Sequence, residues 1–204
     1  MILILQPNKR SAMTTLAQDT FQRPDQSLWG TASDGQKWGA DANTLSNFSI
    51  KQQTGQIIGS GTNPTSYTAV LGPNATDMQI QLSSSLSSFG GNTLGAVNRW
   101  TDRNDFYKAY LTGTNLVIQK KVRGSITNLK SIAFAARPGT SYTLLFRVVG
   151  TTLSASAWPT GSTPPASWML STADSSLSSG SSGLLVYLAS GITANVSSFQ
   201  AVQP

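Results

Sequence analysis

The chain is predicted to fold as an all-β protein, a two-sheet antiparallel jelly-roll sandwich, and three observations carry that expectation. Apolar and polar residues alternate along many short segments, turn clusters recur about 11 to 14 residues apart, and no segment sustains a helical period. At 204 residues the chain suits one large β domain better than two small ones.

At the N-terminus, Met1-Ile2-Leu3-Ile4-Leu5 is apolar, but Lys9 and Arg10 follow the run instead of preceding it. The run is also too short for the apolar core of a Sec signal peptide, so no export signal is expected. Met13 opens a second start-like segment, which makes residues 1–12 an N-terminal arm and residues 13–204 a single sandwich domain. Two readings of the arm stay open. It is an edge strand or a frayed terminus, or Ile2, Leu3, Ile4 and Leu5 pair with the sheet edge of a neighbouring subunit. No stretch approaches the roughly 20 apolar residues of a membrane span.

Farther along, Met78, Ile80 and Leu82 alternate with Gln79, Gln81 and Ser83. Tyr142, Leu144, Phe146 and Val148 form one face of a second run, and Leu153, Ala155 and Ala157 one face of a third. Turn clusters at Thr112-Gly113-Thr114-Asn115, Arg123-Gly124-Ser125, Arg137-Pro138-Gly139 and Val149-Gly150-Thr151 punctuate a predicted antiparallel meander over 106–158. Residues 59–66, 158–168 and 175–183 are long for turns. The apolar run Leu184-Leu185-Val186-Tyr187-Leu188 follows the last of these, so no domain boundary is placed there. There is no internal repeat.

Composition narrows the chemistry. With no cysteine and no histidine, the chain lacks a thiolate nucleophile, the commonest metal ligand and the usual general base. All eight acidic residues are aspartates. The formal charge of +6 reflects scarce acids, with 14 Lys and Arg spread along the chain and no dense basic run, so nucleic acid is not an expected partner. The glycosylation-type triplets at Asn47, Asn74 and Asn195 are as many as this composition yields by chance and carry no information.

Asp19-Thr20-Phe21, then Trp29-Gly30-Thr31-Ala32-Ser33-Asp34-Gly35 and Trp38, resembles the first strand of laminin-G-like domains of the concanavalin A-like lectin/glucanase superfamily, of the kind found in bacterial surface and phage structural proteins. The segment from Arg99 to Leu111, with Phe106-Tyr107 after a short polar loop, is similar to the same family, as are the turn Pro138-Gly139-Thr140-Ser141-Tyr142 and the run Gly150-Thr151-Thr152-Leu153. The resemblance spans 19–202 and implies the jelly-roll geometry that the alternation already predicts. Glycoside hydrolases in that superfamily work with two carboxylates, glutamates in the glucanase branch. This chain has no glutamate, and its one close acidic pair, Asp102 and Asp105, sits among Arg99, Arg103 and Asn104, which suits a salt-bridged loop better than a general acid. The chain is therefore expected to be no enzyme.

Laminin-G-like domains sometimes carry calcium, and Asp34, Asp41 and Asn43 are the oxygen donors available for it, against the simpler reading of solvated turn residues. No other cofactor is expected. Trp29, Trp38 and Trp100 lie beside predicted strands and are read as packing residues, whereas Trp158 and Trp168 border a Pro-rich loop and are the leading candidates for a recognition surface, with Tyr67 third. The expected function is a non-catalytic module displayed on an assembly, a virion, tail or extracellular surface structure, in decoration or recognition. Its partners are then a homo-oligomer or other particle subunits, and a glycan or cell-envelope polymer. The alternative is a stand-alone lectin-like carbohydrate-binding module, and a glycoside hydrolase ranks below both.

Overall fold

Residues that alternate in sequence alternate across a strand, so each apolar row commits one sheet face to the core. The computed structural model describes residues 13–204, and Ile2, Leu3, Ile4 and Leu5, the residues expected to pair with a neighbouring subunit, lie outside them. The strands are β1 (Thr14–Asp19), β2 (Gln26–Ser27), β3 (Gly39–Ala40), β4 (Phe48–Lys51), β5 (Thr54–Ile58), β6 (Thr65–Ala75), β7 (Met78–Leu86) and β8 (Thr93–Asp102). They continue as β9 (Asp105–Leu111), β10 (Asn115–Val122), β11 (Ser125–Ala133), β12 (Tyr142–Val149), β13 (Thr152–Pro159), β14 (Leu170–Ala173), β15 (Gly180–Leu188) and β16 (Thr193–Gln203). Among the described residues a single 3-10 turn covers Asp41–Asn43.

One sheet has nine strands, running β14-β13-β12-β7-β16-β5-β4-β2, with β1 beside β16. Here β5 pairs the first half of β16, and β1 the second, with Asp19 opposite Phe199. The other sheet has seven, running β11-β10-β9-β8-β15-β6-β3. Between them lies one buried cluster, to which the nine-stranded sheet gives Ile80, Leu82, Leu144, Phe146 and Phe199, and the seven-stranded sheet Tyr67, Tyr107, Ala109, Leu184 and Val186. This is the predicted jelly-roll sandwich.

One expectation changes. The predicted meander over 106–158 is split between the sheets: β9, β10 and β11 are consecutive neighbours in one, and β12, β13 and β14 in the other. The crossing at 134–141 is pinned where Phe134 packs edge-on against Tyr142 and the Tyr142 hydroxyl accepts the Arg137 amide at 2.9 Å. Alternation marks the core face of a buried strand such as β12 but does not say from which side of the core that face looks in, and the edge strand β11 is almost wholly exposed.

The start of the domain is organised by Asp19, whose buried carboxylate accepts the Phe21 amide, both ends of the Arg23 guanidinium, the Ser33 amide and the Trp38 indole at 2.7 to 3.2 Å. Trp29 and Trp38 are core residues, as expected, in edge-on contact with each other. Among the described residues no helix is long and apolar enough to cross a membrane.

Candidate functional site

The outward face of the seven-stranded sheet is the place where this fold departs from simple polar solvation. On β9, strict alternation sends Tyr107, Ala109 and Leu111 into the main core and leaves Phe106, Lys108 and Tyr110 on the other face. In register beside them stand Gln119 and Lys121 of β10, opposite Lys108 and Phe106. On the other flank, Val97 and Gly95 of β8 lie opposite Lys108 and Tyr110, and β15 follows with Leu185 opposite Gly95 and Tyr187 opposite Thr93. Val97, Phe106 and Leu185 bury one another in a second apolar cluster, with Trp100 packed against it.

Two adjoining cavities of about 240 and 230 Å³ lie on this face. They share Ser66, Phe106, Lys121, Leu185 and Tyr187, so they form one groove. Tyr187 offers it an exposed ring, Ser66, Thr68 and Thr93 offer hydroxyls, and Gln119 offers an amide. Arg103 stands at one end, paired with Asp41 at 2.7 Å. Among the described residues no carboxylate lines either cavity.

Lys108 is the unusual member. Its residue is only 5% exposed, its ammonium gives a hydrogen bond to Thr93 Oγ1 at 3.1 Å, and it lies 4.6 Å from the centre of the Tyr110 ring. Burial pushes its pKa down to about 7. Burial likewise pushes the Tyr110 phenol up. Gly95 makes room for the lysine: a Cβ built there would stand 2.7 Å from Lys108 Cε and from the Ala109 carbonyl oxygen.

The residues singled out from sequence are placed elsewhere. Trp158 and Trp168 do come together, across a cavity of about 150 Å³ walled by Pro164 and Pro165 on the outer side of the nine-stranded sheet. There the Arg147 guanidinium sits 4.8 Å from the Trp168 ring centre, so part of that aromatic surface already has an intramolecular partner. Tyr67 is not a loop residue: β6 begins at Thr65, the ring is 2% exposed, and its hydroxyl accepts the Ser60 amide at 2.9 Å. It is a core residue, because its position faces inward with Ala69 and Leu71.

The calcium-donor candidates Asp34, Asp41 and Asn43 all accept hydrogen bonds from the protein itself. Asp34 accepts the Gln18 amide at 2.6 Å and the Gln36 amide at 2.9 Å, Asp41 accepts the Thr68 amide and Arg103, and Asn43 Oδ1 accepts the Gly30 amide at 2.6 Å. Their oxygens are engaged by protein donors, and among the described residues no group of three or more Asp side chains is placed to hold a metal ion. Among the described residues Asp102 and Asp105 have no ion-pair partner; they receive the Asn104 and Arg123 amides near the tip of the β8–β9 hairpin.

Sequence reasoning passed over Phe106, Lys108, Tyr110 and Tyr187 as members of a site. The signal was present: with Tyr107, Ala109 and Leu111 facing inward, a second aromatic row on β9 must face outward with a lysine inside it. Chemically, aromatic faces, hydroxyls, an amide and cations in one groove are able to stack on a ring and hydrogen-bond its substituents. They supply no acid–base pair of carboxylates.

No protein-family model matches the chain, and no curated protein matches its sequence. Solved structures do match its fold. The carbohydrate-binding module CBM66 from Bacillus subtilis is similar at 14% identity and TM-score 0.56, over 91% of this chain and 93% of that one. The β-glucanase of Bacillus licheniformis is similar at 9% identity and TM-score 0.60, over 95% of this chain and all of that one. A xylan β-1,4-xylosidase from Bacillus halodurans C-125 reaches TM-score 0.65 at 13% identity, over 91% of this chain, which spans only 39% of the xylosidase. These likenesses establish the concanavalin A-like jelly-roll fold; activity resides in the site a fold carries.

Proposed function

We propose that the chain is a non-catalytic carbohydrate-binding module whose ligand lies in the groove on the seven-stranded sheet. One observation carries the reading: an exposed aromatic ring, Tyr187, shares a continuous groove with hydroxyl, amide and ammonium groups, and no carboxylate lines it. Sugar rings present apolar faces to aromatic side chains and polar edges to hydrogen-bonding groups, which is the complement of this lining. The likeness to a carbohydrate-binding module supports the reading at the level of fold. The lack of any glutamate or histidine supports the non-catalytic part.

Display of this module on an assembly, a virion or another extracellular surface, belongs to the same proposal and rests on the apolar run Met1-Ile2-Leu3-Ile4-Leu5 in the arm of residues 1–12. The test combines two assays on the full chain. Retention on immobilised polysaccharides without release of reducing sugar supports the reading; sugar release refutes its non-catalytic part, and absence of retention on every polysaccharide refutes the binding part. Native mass of the full chain beside a version starting at Met13 tests assembly: an oligomer that needs the arm supports it, and a monomer in both cases removes it.

A further inference from the structure

The sugar-binding reading leaves the class of sugar open, and the charge inside the groove addresses it. Lys108 is more than nine-tenths buried and has, among the described residues, a single hydrogen-bond acceptor, Thr93 Oγ1, for an ammonium with three N–H donors. Among the described residues no carboxylate is paired with it. Lys121 is the second cation of the groove, 5.9 Å from the Phe106 ring centre and likewise without an acidic partner among the described residues. Arg103, by contrast, is already neutralised by Asp41. A buried cation without a counter-ion is costly to a folded protein. A Cβ at Gly95 would meet the Ala109 carbonyl oxygen, Lys108 Cε and Tyr110 Cβ at 2.7 Å, so the glycine leaves the lysine end and the neighbouring backbone uncrowded.

We propose that the groove selects sugars bearing an anionic substituent, a carboxylate or a sulfate, with the Lys108 ammonium as its counter-ion and Lys121 as the second cation. This rests on the sugar-binding reading above and adds the ligand class to it. A neutral sugar leaves both ammonium groups unpaired, whereas an anionic one supplies the missing partner and allows Tyr187 to keep its contact with the ring. The charged or titratable groups facing Lys108 are Tyr110 on its own strand, Lys121 on β10, Tyr187 on β15 and the Arg103–Asp41 pair at one end; β8 and β6 present only hydroxyls there.

Binding of the anion is then linked to protonation of Lys108. Its pKa near 7 in the free protein means that the ammonium is present at pH 6 and largely lost at pH 8.5, so affinity for an acidic sugar falls roughly 30-fold between those values.

The test is equilibrium binding of the full chain to trigalacturonate, its methyl ester, a sulfated κ-carrageenan oligosaccharide, xylotriose and cellotriose. The expected result is that at least one acidic sugar binds about tenfold or more tightly than the neutral ones and the ester. That preference and its pH dependence disappear in Lys108→Met and shrink several-fold in Lys121→Ala. Which acidic probe binds separates carboxylate from sulfate. Neutral sugars bound as tightly as acidic ones, with Tyr187→Ala abolishing both, overturn this inference and leave the sugar-binding reading standing. Failure of every sugar to bind overturns both. Tighter, steeply salt-sensitive binding of a single-stranded oligonucleotide overturns the inference in favour of nucleic acid.

Discussion

The ammonium of Lys108 lies 4.6 Å from the centre of the Tyr110 ring, two residues along the same strand, in a sheet face where no carboxylate stands beside it. A cation held by a ring quadrupole and a hydroxyl is stabilised less than one held by a carboxylate, which is why burial dominates its titration.

That burial has a sign in stability. Between about 7, its value in the folded protein, and its ordinary 10.5, the unfolded chain holds the proton and the folded chain does not, so stability rises with pH across this window and the contribution is lost as pH falls through 7. Lys108→Met is expected to be more stable than the parent at pH 6, by up to about 5 kcal/mol, with the difference vanishing above pH 10.5. Urea unfolding of both proteins across that range checks it; a variant equally destabilised at every pH contradicts it.

Gly95→Ala is expected to cost about 1–3 kcal/mol, because its Cβ has three neighbours at 2.7 Å, of which the Ala109 carbonyl oxygen is backbone and cannot swing away. Thermal unfolding measures the loss. In the same variant the lysine stem is displaced, so the midpoint of any Lys108-linked titration is expected to rise toward the ordinary lysine range.

Asp19→Ala removes the acceptor of five hydrogen bonds and strands the Arg23 guanidinium and the Trp38 indole beside it. A loss of about 3–5 kcal/mol is expected, as for a buried pair deprived of one partner. Chemical denaturation is the measurement, and a change below about 1 kcal/mol refutes the organising role given to Asp19.

Asp174 ties the Ser-rich segment before β15 to the sheet. Burial alone would push its carboxyl up, but hydrogen bonds from Lys120, Ser176 and Tyr107 outweigh burial and hold it well below the usual carboxylate range. The reciprocal effect on Tyr107, from burial first and Asp174 second, lifts its phenol to about 12. Stability from Asp174 is therefore complete above the ordinary carboxylate value and is lost as pH falls below it. Asp174→Asn is expected to lower stability by about 2 kcal/mol at pH 7 and to flatten the acid limb of the stability curve below pH 4.

Much of the sandwich was legible from alternation, because Met78, Ile80 and Leu82, or Tyr142, Leu144 and Phe146, state which side of each strand is buried. The split of the meander at 134–141 was not, since β11 is a largely exposed edge strand, β12 is a buried one, and only long-range packing assigns them to different sheets. Asp19-Thr20-Phe21, Trp29 and Trp38 carried the resemblance to a jelly-roll fold, and Trp29 and Trp38 are the packing residues expected, but the role of Asp19 was not read because its donors Ser33 and Trp38 lie 14 and 19 residues away. The groove was hidden by a different cause. Phe106, Lys108, Tyr110 and Tyr187 come from strands that meet only through β8, and Lys108 reads in sequence as a solvated charge. Tyr67 misled because the loop read over 59–66 ends sooner, with β6 beginning at Thr65, so that Tyr67 already stands on the inward face of a strand.

The central claim is that the seven-stranded face, not the Trp158–Trp168 cavity, holds the ligand. The most direct measurement compares the full chain, Tyr187→Ala and Trp168→Ala on one polysaccharide panel, with thermal unfolding confirming that all three are folded. Tyr187 is 37% exposed, so its truncation is expected to leave stability nearly unchanged while lowering affinity at least about tenfold. Trp168→Ala is expected to bind as the parent does. Loss of binding in Trp168→Ala with Tyr187→Ala unaffected would contradict the assignment and move the site to the opposite sheet.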